Sequence, residues 1–133
     1  MPIELEMSLR ILLAAALGSI IGYQRERAGK QAGLRTLMLV CVGAALFTVA
    51  SSQGFSTLAD PARVAAGIVI GVGFLGAGAI LHREGGIVEG LTTAATIWVV
   101  AGIGLAAGVG MYIISAVASA LILLVLLLPH PIR

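Results

Sequence analysis

The sequence predicts an all-α protein, a polytopic membrane helix bundle of about five transmembrane helices with glycine-rich packing. Three observations predict it. The 133 residues are 59% hydrophobic and only 11% charged, with a mean hydropathy of +1.11. A soluble domain is about 45–50% apolar and about 25% charged. Long runs without interior charge match the roughly 20 residues a helix needs to cross a bilayer. Most of the 18 glycines fall inside those runs, where small residues let helices approach closely. This composition excludes a cytosolic enzyme and a disordered tail. The formal charge, 8 − 6 = +2, is too small to be a nucleic-acid footprint.

The chain reads as a single transmembrane domain over residues 1–133. The first span runs from Met7 to Tyr23, with Arg10 near its start. The second runs from Leu34 to Ser52. Asp60-Pro61 precedes the third, Ala62 to Leu81; Asp suits an N-cap and Pro the first helical turn. From Leu91 to Leu128 no residue is charged. As one helix that stretch would measure about 57 Å, nearly twice the hydrocarbon core of about 30 Å. It must turn back, and Gly108-Val109-Gly110 is the place, giving spans 91–107 and 111–128. The alternative is four helices, the last long and tilted. Glu4 and Glu6 stand where a secretory signal would carry basic residues, so none is read here. Arg25, Arg27, Lys30, Arg35, Arg83 and Arg133 fall on one side, Arg10 and Arg63 on the other. The positive-inside rule then places the first loop in the cytoplasm, the N-terminus outside and the C-terminus inside.

Gly18 and Gly22, Gly67 and Gly71, and Gly104 and Gly108 each lie four residues apart. This spacing predicts tight contacts within the bundle, with a homo-oligomer face as the alternative. Gly71, Gly73, Gly76 and Gly78 satisfy G-x-G-x-x-G with one glycine to spare. That expression signals dinucleotide binding only between a strand and a helix, and no strand is plausible here. Helix packing is the reading; a helix broken at the bilayer midplane, exposing backbone to ions, is the alternative.

No carboxylate or base falls in the central part of any span, which argues against a proton relay. Charged groups gather at helix ends instead. Asp60 reads as a cap, with an outer-face ion site paired to Arg63 as the sharper alternative; it is the one candidate metal ligand. Arg25, Glu26, Arg27 and Arg35 read as headgroup anchors or as an ion-paired cluster with Glu84 and Glu89. Thr92 and Thr96 share a helix face. Trp98, in mid-span, is expected to pack inside the bundle, whereas Tyr23 and Tyr112 suit the interface. Cys41 lies in an apolar run and reads as a buried structural thiol. His82 and His130 have no metal-ligand spacing to a second donor. No catalytic constellation or cofactor motif is visible, so no enzyme is predicted.

Several segments together resemble the MgtC/SapB family of bacterial membrane proteins. They are Arg25-Glu26-Arg27, Ala32-Gly33-Leu34-Arg35-Thr36, Asp60-Pro61 with Arg63-Val64-Ala65-Ala66, Gly73-Phe74-Leu75-Gly76-Ala77-Gly78, and Gly90-Leu91-Thr92-Thr93-Ala94-Ala95 followed by Trp98. The resemblance covers about Leu9 to Leu128 and implies an inner-membrane protein of about five spans. It also implies a link to growth in low magnesium and to survival inside macrophages, and in some members restraint of the membrane ATP synthase. The matching positions are Arg25, Glu26, Arg35, Thr36, Asp60, Arg63, Gly76, Gly78, Thr92 and Trp98. The chain departs from the family's pattern at Gly67, where many members have Gln, and at Ile70, where they have Ser or Thr. Members of the virulence type have Asn at the Thr92 position and a soluble C-terminal domain, which is not expected here.

Three functions follow, in order. The first is a regulatory module that binds another membrane protein, such as the ATP synthase. The second is a small carrier or channel for Mg²⁺ or another ion, with Asp60 at its entry and Mg²⁺ as ligand or cargo. The third is a structural scaffold for other subunits or lipid. The lipid bilayer and a second copy of the chain, as a dimer, are the expected partners; nucleic acid is not.

Overall fold

A computed structural model describes residues 2–53, 60–81 and 87–128, without the side chains of residues 53, 61 and 87–89. It contains five helices: α1 (Ile3–Arg27), α2 (Leu34–Gln53), α3 (Pro61–Leu81), α4 (Ile87–Val109) and α5 (Tyr112–Leu126). His82, Arg83, Glu84, His130 and Arg133, and the Glu89 side chain, lie outside the described residues.

The first helix begins four residues before its apolar run. Glu4 and Glu6 sit in its first turn, Arg25 and Arg27 in its last, and each pair opposes the helix dipole at its end. At about 37 Å α1 exceeds the roughly 30 Å core, so both charged ends reach the interfaces. Helices α1 to α4 are long and apolar enough to cross a membrane; α5 is apolar but has only 15 residues.

The reversal after α4 falls at Gly110, with φ +102°. The Gly110 N–H donates to the Ala107 carbonyl (3.1 Å) and the Met111 N–H to that of Ala106 (2.9 Å), a Schellman closure that glycine allows because it has no Cβ. The end of α1 is built the same way. Gly29 takes φ +73°, its N–H donates to the Glu26 carbonyl, and the Lys30 N–H donates to that of Arg25, both at 3.0 Å. Arg10 braces the α4 turn from outside. Its guanidinium donates to the Gly108 carbonyl (3.0 Å), the Glu6 carboxylate (2.6 Å) and the Tyr112 hydroxyl (3.1 Å).

Helix α4 is the hub. It packs on all four other helices, and half of its spanning stretch is buried. Its buried face carries Thr93, Ile97, Val100 and Ala107, with glycines where α2 comes close. A Cβ on Gly104 would run into the Cys41 carbonyl, and one on Gly108 would lie 2.9 Å from that of Ala45. The α1–α2 seam is equally tight: a Cβ on Gly18 would lie 2.8 Å from Cys41 Cβ, and one on Gly22 2.8 Å from Leu34 Cα. Cys41 is fully buried between these contacts.

Helix α3 departs from expectation. It is an unbroken helix from Pro61 to Leu81, and its glycines make no such approach. A Cβ on Gly67, Gly71, Gly73 or Gly78 would meet nothing within 4 Å, and one on Gly76 would make only ordinary contact with Ala94. The reason is placement. α3 rests on α4 and barely touches α2, so the Gly67–Gly71 side faces a gap instead of a helix. Trp98 also differs: it is 55% exposed. Its position on α4 lies well round from the row carrying Thr93, Ile97 and Val100, so the ring borders an outer groove with Val69 and Ile114. In lipid this exposure carries little penalty, because acyl tails are as apolar as the ring's usual neighbours.

Candidate functional site

One of the two polar clusters of the described residues lies where α1 ends and α2 begins; the other is the Glu6–Arg10–Tyr112 group at the α4 turn. Arg25, in the last turn of α1, is only 2% exposed and donates to the hydroxyl of Thr93, fully buried on α4, at 3.1 Å. A surface anchor was the expectation for Arg25. Instead, Arg25 continues the buried row Gly18–Ile21–Gly22 of α1, and that helix face directs its guanidinium inward across the bundle. Next to it, Glu26 accepts the Leu34 N–H at 3.0 Å. That bond satisfies one of the open donors at the start of α2 and sets a negative charge against its positive dipole end.

Arg35 and Thr36 follow in the first turn of α2, both exposed. With Glu26 and Gln31 they line an open cavity of about 350 Å³. Gln31 and Thr36 also border a second cavity of about 280 Å³, whose deeper wall includes Thr93 and Gly78. A vestibule, polar at the interface and mostly apolar further in, therefore reaches Thr93, the partner of the buried Arg25. Charge-assisted hydrogen bonds of this kind are worth more in a dry interior than in water, and an arginine at this depth demands its partners.

The other expected residues do not join this cluster. Asp60 caps α3: its Oδ1 accepts the Ala62 N–H at 3.0 Å, and its carbonyl accepts the Arg63 N–H at 3.1 Å. Both residues are exposed, and no ion pair joins their side chains among the described residues. Thr92 supplies a backbone acceptor: the Thr96 hydroxyl donates to its carbonyl at 2.7 Å. Among the described residues no group of three His, Cys, Asp or Glu side chains is placed to hold a metal. Sequence reasoning left Thr93 out of the candidate cluster in favour of Thr92, and passed over Gln31 and the bracing role of Arg10. Thr93 was legible in principle, since it continues the Ile97–Val100–Gly104 row of helical spacing. Arg10 stands four residues after Glu6, the spacing of a helical ion pair.

A model of the MgtC family matches residues 11–133. The chain belongs to the MgtC family. It is 48% identical over 132 residues to the putative magnesium transporter YhiD of Escherichia coli, covering 94% of this chain and 61% of that protein. It is 49% identical over 119 residues to protein MgtC of Brucella abortus, covering 90% and 49% respectively. Protein SapB of Bacillus subtilis is 38% identical over 117 residues, 83% of this chain and 50% of that protein. The chain thus spans about half to three fifths of the length of these relatives. No solved structure matches. Membership and four helices of spanning length together make this a multi-pass membrane protein of the MgtC/SapB type.

Proposed function

We propose that this MgtC-family chain is a regulatory module of the bacterial inner membrane that acts by binding another membrane protein during adaptation to low magnesium. The observation that carries this reading is the bare outer face of α3. Phe74 is 80% exposed, and Ile70 and Leu81 stand out beside it. Of the four helices of spanning length, α3 is the least buried within the chain. Membrane helices associate through packing and interhelical hydrogen bonds, so a protruding aromatic on an unbroken helix suits a helix of another protein. The ATP synthase is the partner the family resemblance names, and a dimer of this chain belongs to the same proposal. In this reading the basic α1–α2 turn lies in the cytoplasm, so the vestibule opens on that side.

The test is photo-crosslinking in cells grown at low magnesium, with the reactive side chain at Phe74 or, as control, at the buried Val100. The reading expects a discrete adduct with a membrane subunit from Phe74 only. In inverted vesicles, Phe74→Ala should relieve an effect of this protein on ATP-driven proton pumping. Adducts with lipid alone, and pumping indifferent to the protein, would overturn it.

The name of the Escherichia coli relative supports a second reading, magnesium transport with Asp60 at the outer mouth. Mg²⁺ takes oxygen ligands and keeps much of its water. Asp60 Oδ1 already caps α3, which leaves Oδ2 for a hydrated ion. Liposome uptake of Mg²⁺ that is saturable and lost in Asp60→Asn would replace the first reading.

A further inference from the structure

The two cavities do not end at Thr93. Val40 and Leu75 line both the inner cavity and a third space of about 430 Å³ between α2 and α3. Leu39 joins that space to the outer mouth as well. The result is one cleft, polar at the interface and lined wholly by apolar residues and glycine further down. Three glycines keep it open. Gly43 on α2 and Gly67 and Gly71 on α3 each lack any neighbour within 4 Å of a Cβ position. Had α3 closed on α2, these positions would form a seam like that at Gly104. An apolar occupant would gain dispersion contacts along both walls, and water does not favour such a lining.

We propose that this cleft binds one anionic phospholipid, with its phosphate at Gln31, Arg35 and Thr36 and one acyl chain lying along Val40, Gly43, Gly67 and Gly71. Length fits. From Gly78 to Val64 the cleft follows α3 for 14 residues, about 21 Å, longer than the roughly 15 Å one leaflet contributes to the hydrocarbon core. Charge fits. The segment from Arg25 to Thr36 holds Arg25, Arg27, Lys30 and Arg35 against Glu26 alone, and Glu26 is engaged by the Leu34 N–H. A guanidinium matches a phosphate in shape as well as sign, and basic pockets between membrane helices hold anionic headgroups. A protein helix fits less well. It is about 10–12 Å across with its side chains, and it would not use a polar mouth continuous with an apolar slot.

The experiment uses the full chain purified in mild detergent, with lipid retention read by native mass spectrometry and unfolding read by heating. The probes are dioleoyl phosphatidylglycerol, dioleoyl phosphatidylcholine and glycerol 3-phosphate. One phosphatidylglycerol should be retained and should raise the unfolding temperature; phosphatidylcholine should do so only weakly, and glycerol 3-phosphate should not compete. Arg35→Gln should weaken phosphatidylglycerol about tenfold, the loss of one charge-assisted contact. Gly71→Leu, which enters open space, should block the slot while Cys41 stays as unreactive to thiol reagents as in the parent. Equal retention of the two lipids would overturn the proposal. So would a Gly71→Leu protein that binds phosphatidylglycerol normally. Effective competition by glycerol 3-phosphate would replace it with a small-phosphate site. A Gly71→Leu protein changed only in oligomeric state would make the cleft a seam between protein chains.

Discussion

Gly104→Ala tests whether the α2–α4 seam holds the bundle together. The added Cβ would enter the Cys41 carbonyl and lie 3.0 Å from Ala44 Cβ. The obstructing atoms are backbone and the first side-chain carbon, so no flexible tip can turn aside. The helices must separate locally, and a gap of about 0.5–1 Å forfeits a quarter to a half of each dispersion contact across it. Cys41, Ala44, Val100 and Ala107 all face this seam from the core. Overpacking of this kind costs about 1–3 kcal/mol. A value of about 2 kcal/mol would raise the population of open states about 30-fold. Cys41 supplies the assay, because it is the chain's only cysteine and is fully buried. Its labelling by a thiol-reactive dye in detergent should speed up by that factor, and the unfolding temperature should fall. Gly67→Ala is the matched control, with nothing near the new methyl, and should change labelling little. Equal labelling in Gly104→Ala and the parent, or equal loss in both variants, would refute the claim that glycine is required where two helices touch, as at Gly104, and not where they stand apart, as at Gly67.

Four further outcomes are expected. Thr93→Val keeps the shape but removes the hydroxyl from Arg25, and should cost about 1.5–3 kcal/mol in thermal or denaturant unfolding; Thr93→Ser should recover most of it. Gly110→Ala places a side chain at φ +102° with its Cβ 2.8 Å from Arg10 Nη2, so amide exchange at Met111 should rise, as it should in Arg10→Ala. Asp60→Asn should leave stability nearly unchanged because Asn also caps helices, while Asp60→Ala should lose about 1 kcal/mol. A reporter fused after Arg133 should share the side of one inserted in the Ala28–Gly33 loop if α5 crosses the bilayer, and should lie opposite if it does not.

What the sequence determined by itself was one-dimensional. Run length and the absence of charge located the helices, because a bilayer demands about 20 apolar residues whatever they pack against. The turn at Gly108-Val109-Gly110 followed from a stretch too long to cross once, and Asp60 read as a cap because capping is settled within three residues. The motifs around Arg25, Asp60 and Thr92 also sufficed to place the chain in its family. Tertiary structure decided which side each helix turns toward its neighbours. In a soluble protein, hydrophobicity would reveal that side; here lipid and protein are both apolar, so Trp98 and Val100 give the same signal although one faces out and the other in. Identical glycine spacings therefore became a tight seam at Gly104 and Gly108 but an open cleft at Gly67 and Gly71. The inward turn of Arg25 toward Thr93 joins residues 68 apart in the chain, a pairing that follows only from how α1 and α4 lie against each other.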